Sequence, residues 1–359
     1  MEKINKTIEN IEPLNGEAME KAKSLWDSRT HPIGSLGELE EITIRLSGIQ
    51  GKVAKSLNKR GIVVMCADNG IYEENISSSP QIFTYLLTNA MASGQTGVSS
   101  LAKSVNADVF VVDIGVIPGG EFEPNVLRRN IRKGSGNFLK EKALSREEVI
   151  QGIKVGIDLG DKLFQEGYDI LGTGELGIAN TSTSSAVLTA LTGLSPSITV
   201  GLGGGITDKQ LERKKEVIQE AMNFHHPDPK DPIDVLSKVG GLDICGLVGV
   251  FLSGAKNRIP VVIDGLISSV AALCAYKLTS KVQPYLFPSH LSKEAAAGKV
   301  LELLGLKPLV TMEMRLGEGS ACPFTFAILD MGLYALHHMG TFDSTQIENK
   351  ILVNIRDKE

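Results

Sequence analysis

Six short runs rich in Val, Ile, Leu, Tyr and Phe, with little polar alternation, punctuate the chain. They are GIVVMCADNG (61–70), NADVFVVDIGV (106–116), YDILGTGELGIANTSTSS (168–185), SITVGLGGGITD (197–208), IPVVIDGLISS (259–269) and VQPYLFPSH (282–290). A strand that opens without a polar face is buried on both sides, the character of a parallel sheet covered by helices. Each run then turns through Gly, Asp or Asn into a polar loop. Helical periodicity fills the intervals: Ser145 and Glu148 have capping-box spacing, with Val149, Ile153 and Ile157 repeating behind them. Residues 207–222 and 293–305 also read as helices. The alternation predicts an α/β fold with an open, mostly parallel, Rossmann-like sheet covered by helices, and a ligand at the carboxyl ends of the strands. A closed eight-stranded barrel fits the strand count and uneven spacing less well.

The two ends of the chain differ from this pattern. Residues 1–50 are helical in character, with a second capping-box spacing from Ser35 to Glu38 ahead of Leu39, Ile42 and Leu46, and 326–356 is mainly helical too. This predicts a small helical domain from 1–55 and 330–359, set on a large α/β catalytic domain over 56–329, or else a helical dimer surface. The 359 residues are 42% hydrophobic and 22% charged, which excludes wholesale disorder. A net charge of -5 argues against a general nucleic-acid binder while leaving room for a local phosphate site. Cys66, Cys245, Cys274 and Cys322 form no CxxC pair, so neither a zinc knuckle nor a disulfide framework is expected. The polar amino terminus and the interrupted apolar runs predict a cytoplasmic protein without a membrane span.

Several segments could carry chemistry. In LGTGELGIANTSTSS, Gly172, Gly174 and Gly177 allow a tight strand-to-helix turn, and Asn180, Thr181, Ser182, Ser184 and Ser185 supply short donors around a helix start, a good cradle for an anion. The run lacks the GK[ST] of a Walker A loop and is not a dinucleotide fingerprint. Glu175 inside it would repel phosphate unless it faces away or serves another part of the substrate. Gly203, Gly204 and Gly205 make a second nest. Lys214 falls on the apolar side of the following helix, where an ammonium is unusual unless it reaches an anion. Glu318, between Gly317 and Gly319 in MRLGEGSACPF, is either a solvated loop residue or a partly desolvated general base. Asp68, Asn69, Asp113 and Asp264 end strands, where acids bind ribose hydroxyls or cap helices. His31, His225, His226, His290, His337 and His338 show no zinc spacing. His290 with Ser289 and Ser292 is the better polar-site candidate, and no GxSxG elbow occurs.

Taken together, these segments resemble the nicotinate-nucleotide–dimethylbenzimidazole phosphoribosyltransferase family of cobamide biosynthesis over nearly the whole chain. The likeness runs through Pro32 to Gly37 with Leu39 and Glu40, Ala67-Asp68 with Gly70, Ser77 with Pro80-Gln81, and Gly172 to Ser185. It continues through Gly203 to Asp208, Val261 to Gly265, Ser289-His290 with Ser292, and Arg315 to Gly319. The resemblance implies transfer of the 5-phosphoribosyl group of nicotinate mononucleotide to an aromatic base, with inversion at ribose C1. It implies that Glu318 is the general base, with Glu175 and Lys214 as further catalytic positions. Gly174, Gly177, Asn180, Thr181, Ser182, Gly203, Gly204, Gly205 and Asp208 would hold the nucleotide. Ser77, Gln81, Asp264, Ser289, His290, Ser292, Arg315 and Leu316 are further implied substrate contacts. No cofactor or metal is implied, and the expected assembly is a homodimer, or a heterodimer with a homologous subunit.

Departures from the family pattern cluster in one region. Asp68-Asn69-Gly70 stands for the usual Asp-His-Gly, Ile82-Phe83-Thr84 follows Pro80-Gln81, the next glycine segment is Ala92 to Gly97, and Asp243 replaces a usual Glu. The acceptor pocket draws on this region. Dimethylbenzimidazole or another benzimidazole is the expected acceptor. The alternatives are a paralogue using phenol or p-cresol, and a non-catalytic partner subunit. A nicotinamide-dependent oxidoreductase would need the dinucleotide fingerprint this chain lacks.

Overall fold

The structure is a computed structural model and describes residues 1–348 and 353–356. Six strands form one sheet: β1 (Arg60–Ala67), β2 (Ala107–Gly115), β3 (Leu127–Arg128), β4 (Ile170–Leu176), β5 (Val261–Ile263) and β6 (Leu286–Pro288). Their order is β3-β2-β1-β4-β5-β6 and every neighbouring pair is parallel. The open parallel Rossmann-like sheet expected from the sequence is therefore present. Connections reverse direction between β1 and β4, which opens a crevice at the carboxyl ends of the central strands. Gly61 to Ala67 and all of β4 are buried, as their unbroken apolarity requires.

Two helices behind the sheet meet backbone to backbone. Gly152, Gly156 and Gly160 recur every four residues along helix Arg146–Gln165, facing helix Leu242–Lys256. A Cβ on Gly156 would strike the carbonyl of Gly246, and one on Gly249 the carbonyl of Ile153. The same helix opens with the expected capping box: Ser145 Oγ accepts from the Glu148 amide at 3.1 Å, and Glu148 Oε2 accepts from the Ser145 amide at 2.7 Å.

Two expectations are corrected. Residues 197–208 contain no strand. Ser195 precedes Pro196 at the first helical position, so Pro196–Thr199 winds into one helical turn instead. That turn is held on helix Asn180–Thr192 by Ser185 Oγ donating to the Thr199 carbonyl at 2.8 Å. The sheet takes β3 instead, two residues too short to leave a periodicity. Ser35 makes no capping box with Glu38, because the left-handed Gly37 (φ +53) occupies the cap position, and Glu40 Oε1 accepts from the Leu36 amide at 3.0 Å. Helix Asp208–His225 has instead the reciprocal box Thr207–Gln210.

The chain ends meet. Trp26 packs with Ala22, Ile44 and Leu336 in a small separate cluster and donates to Thr43 Oγ1 at 2.8 Å. Arg29 donates to the carbonyls of Leu336 (2.7 Å) and Met339 (2.8 Å), and Arg356 pairs with Asp27 (2.8 Å) and buried Glu40. Helix Glu2–Glu9, however, packs on the two glycine-contact helices, and its Ile4 belongs to the main core. Residue 330 falls inside helix Cys322–His338. After helix Phe342–Thr345 the described residues are irregular, and 349–352 and 357–359 of the expected terminal helical domain lie outside the described residues. Among the described residues no helix is long and apolar enough to cross a membrane.

Gly156→Ala is expected to destabilise the protein by about 3 kcal/mol, because backbone cannot yield as a side chain would. Gly16→Ala, in open space at a helix start, should be neutral or stabilising by about 0.5 kcal/mol. Urea unfolding midpoints of the two variants measure the difference.

Candidate active site

The cleft of about 330 Å³ at the carboxyl edge of the sheet is lined by the loop after β4, the turns after β5 and β6, and the segments 76–79, 202–206 and 315–320. It therefore sits where the strand order predicts a ligand.

Glu318 is placed by its backbone. Gly317, Glu318 and Gly319 are all left-handed (φ +79, +64 and +90), which is strained for a glutamate. Asp264, at the end of β5, compensates: its Oδ2 accepts from the Gly319 amide at 3.1 Å and its Oδ1 from the Ala321 amide at 2.8 Å. Below, Gly174 leaves room for the Glu318 carbonyl, which any Cβ there would strike. The Glu318 carboxylate accepts from the Val98 amide at 3.3 Å. Burial raises its pKa above the usual glutamate value, against the lowering effect of the Val98, Thr96 and Gly97 contacts. The environment thus suits a base that gains a proton.

Glu175 closes β4 and faces the same loop. Burial raises its pKa well above that of an ordinary glutamate, reinforced by the charges of Asp243 and Asp264. That environment favours its neutral form, which would not repel an anion. Asn180 bridges it to Asp243, donating from one nitrogen to both carboxyl groups, the second at 3.4 Å. Asp243 is fully buried, with Oδ1 unpartnered among the described residues and its pKa pushed by burial up to about 6.

Lys214 is the opposite pole. It is 1% exposed on helix Asp208–His225, and its Nζ donates to Thr181 Oγ1 at 2.9 Å and the Gly201 carbonyl at 3.4 Å. Both of these hydrogen-bond partners are neutral, and burial lowers its pKa to about 8. A buried ammonium with only neutral partners, beside the amino terminus of helix Asn180–Thr192, is built to meet an anion.

Of the residues singled out in the sequence, Ser77, Glu175, Gly177, Asn180, Thr181, Gly203, Gly204, Lys214, His290, Ser292, Arg315, Leu316 and Glu318 line the cleft. The others do not reach it. Asp264 spends both oxygens on the Glu318 loop, and Ser289 donates to the Asp264 carbonyl at 2.9 Å. Gln81 turns to Asp68, Gly174 lies beneath Glu318, and Ser182 is buried within its helix. Gly205 and Asp208 lie on the outer, exposed side of their turn. These positions surround the cleft without being part of its lining. Glu294 lines the cleft and was missed. Its only sequence signal is an acid two residues past Ser292, just ahead of a helix.

Comparison with known proteins defines the class. A phosphoribosyltransferase family model matches residues 11–347. Nicotinate-nucleotide–dimethylbenzimidazole phosphoribosyltransferase of Clostridium tetani (strain Massachusetts / E88) is 45% identical over 100% of this chain and 99% of its own length. That of Ruminiclostridium cellulolyticum is 45% identical over 96% of this chain and 98% of its own. The crystal structure of CobT from Thermus thermophilus superposes with a TM-score of 0.88 at 32% identity, covering 92% of this chain and 99% of that one. The chain belongs to the nicotinate-nucleotide–dimethylbenzimidazole phosphoribosyltransferase family.

The buried carboxyl group of Asp243 makes a signed stability prediction. Its folded pKa lies above its unfolded value, so its contribution is complete below about pH 4 and is lost as pH rises through about 6. Asp243→Asn does not titrate. The stability of the variant relative to wild type should therefore increase between pH 5 and pH 8, by about 1.4 kcal/mol. Thermal melts at the two pH values test it.

Proposed function

We propose that this chain transfers the 5-phosphoribosyl group of nicotinate mononucleotide to 5,6-dimethylbenzimidazole or a related benzimidazole, giving nicotinate and an α-ribotide for cobamide biosynthesis. The observation that carries the reading is one cleft with two opposed poles. A buried lysine without a carboxylate partner lies on one side and a desolvated glutamate on a clamped loop lies on the other. The family's names supply the substrates; the geometry supplies the division of labour.

The phosphate docks at Lys214 and the amino terminus of helix Asn180–Thr192, with Thr181, Gly203 and Gly204 around it. Burial shifts Glu175 toward its neutral form, which lessens its repulsion of that charge. Arg315 makes no hydrogen bond or ion pair among the described residues and lines the cleft, which suits it to the second anion of the donor, the nicotinate carboxylate. The pyridinium ring is already a good leaving group: its bond to C1 breaks with the electron pair going to the ring nitrogen. An unprotonated ring nitrogen of the acceptor attacks C1 from the opposite face, which inverts the configuration. Glu318 removes the N–H proton of the other acceptor nitrogen. Orientation and fixed charge supply the catalysis, and the steps draw on no cofactor. The relatives carry dimethylbenzimidazole in their names, and nothing in the comparisons favours the phenolic alternative.

Glu318→Gln should reduce transfer by about 10²–10⁴-fold while nicotinate mononucleotide binding stays within about threefold. Nicotinate release and calorimetric titration report the two quantities, and unchanged turnover would remove Glu318 from the base role. For Lys214, burial leaves the free ammonium with a pKa near 8, and a bound phosphate dianion restores the proton. Donor affinity should therefore be flat from pH 7 to 8 and weaken above it. Lys214→Ala should bind about 10–100-fold more weakly at pH 7 and show no further loss to pH 9.5. An alanine variant with the wild-type pH profile would show that another group holds the phosphate.

A further inference from the structure

Three carboxylates line the cleft, and the mechanism uses two of them; the third is Glu294. It stands in the turn between β6 and helix Ala297–Leu303, its amide donating to Ser292 Oγ at 3.4 Å. Its Oε2 is buried and accepts no hydrogen bond among the described residues. Gly201 is the reason it can stand there, since a Cβ on Gly201 would strike Oε2. The carbonyl of the same glycine accepts from Lys214 Nζ. The negative charge of Glu294 favours the protonated lysine, although Lys214 spends its hydrogen bonds on Thr181 and Gly201. The two groups therefore flank Gly201 without pairing.

A buried carboxylate oxygen with no donor is costly, and because Glu294 lines the cleft, a donor on the bound ligand would complete its hydrogen bonding. A phosphoribosyl group brings two kinds of polar atom. Its phosphate oxygens are acceptors and belong with Lys214. Its ribose hydroxyls are donors. Resting on the phosphoribosyl reading above, we propose that Glu294 accepts a hydrogen bond from a ribose hydroxyl of the donor substrate and so selects ribose over deoxyribose. Cation and anion on either side of Gly201 thus sort the two ends of one ligand. The fixed negative charge also favours the positive charge that builds on the ribose ring as nicotinate leaves.

The test uses the full chain and calorimetric titration with nicotinate mononucleotide and its 2′-deoxy and 3′-deoxy counterparts. Wild type should bind one of the two deoxy compounds at least about tenfold more weakly than the parent. Glu294→Leu should lose this discrimination, its affinity for the parent falling to the deoxy level while deoxy binding is unchanged. Gly201→Ala keeps the carboxylate but pushes it aside, and should show the same pattern. Glu294→Gln preserves shape and one acceptor, so it should retain discrimination while kcat falls about tenfold. Discrimination that survives in Glu294→Leu overturns the proposal. So does a variant that binds all three compounds more tightly by one common factor, which would make Glu294 a mere counter-charge to Lys214. Wild type that binds none of the three would instead remove the phosphoribosyl reading, and this proposal with it. Binding with discrimination but without turnover would support Glu294 and count against only the reaction.

Discussion

Both oxygens of one buried carboxylate, Asp264, are committed to backbone amides on either side of a strained turn, and the site is arranged around that clamp. Glu318 occupies a left-handed conformation that a glutamate avoids by about 1 kcal/mol or more. Flanking glycines make the turn sterically possible, but only the two charge-assisted hydrogen bonds make it the single conformation present. Since Asp264 ends β5 and Gly174 lies within β4, the position of the base is referred directly to the centre of the sheet. Held this way, a residue that looks like a ribose ligand acts first as a brace for the base.

The clamp has an electrostatic consequence. Glu175, Asp243, Asp264 and Glu318 are buried near one another at the carboxyl ends of the strands, and burial raises the pKa of each. Such a group does not carry four full charges, because each ionisation opposes the next. Asp264, pushed up to about 7, and Asp243, pushed up to about 6, add to the upward shift of Glu175. An anion can then lie beside Glu175, with Lys214 the nearby fixed cation. The glutamate that seemed to spoil the glycine-rich turn as a phosphate cradle is compatible with it once its charge is removed.

The same logic separates readable positions from unreadable ones. Lys214 was conspicuous because an ammonium on the apolar face of a helix breaks a local pattern, and the pattern is a property of consecutive residues. Glu294 broke no pattern: an acid just before a helix is ordinary, and only the approach of Gly201, 93 residues earlier in the chain, makes it unusual. The glycine stripe 152/156/160 has a similar history. Its spacing is visible in the sequence, but a stripe of small residues says nothing about whether a second backbone lies against it. The Ser35–Glu38 spacing failed for a complementary reason. A capping box needs an extended cap residue next to the helix, and the left-handed Gly37 took that position.

While helices such as Leu242–Lys256 and Leu266–Leu278 went unread, the sequence by itself located β1, β2, β4, β5 and β6, the helices behind Ser145 and Thr207, the glycine turns that follow the strands, and the ordered motifs that resemble the family's. All of these follow from local periodicity and from residue types whose backbone preferences act over a few positions. It misassigned 197–208 because a proline ahead of a short β-branched run outweighs the strand preference of the run. Only the tertiary structure decided which polar residues face the cleft and which brace it, which carboxyl groups have raised pKa values, and which acceptor is left without a donor. Those properties depend on burial and on neighbours up to a hundred or more residues away, as Thr173, Ser268 and Cys322 show by meeting across β4 and β5. Desolvation and close approach have no signature in consecutive residues, so the chemistry of the site could be suspected from the chain but assigned only in the fold.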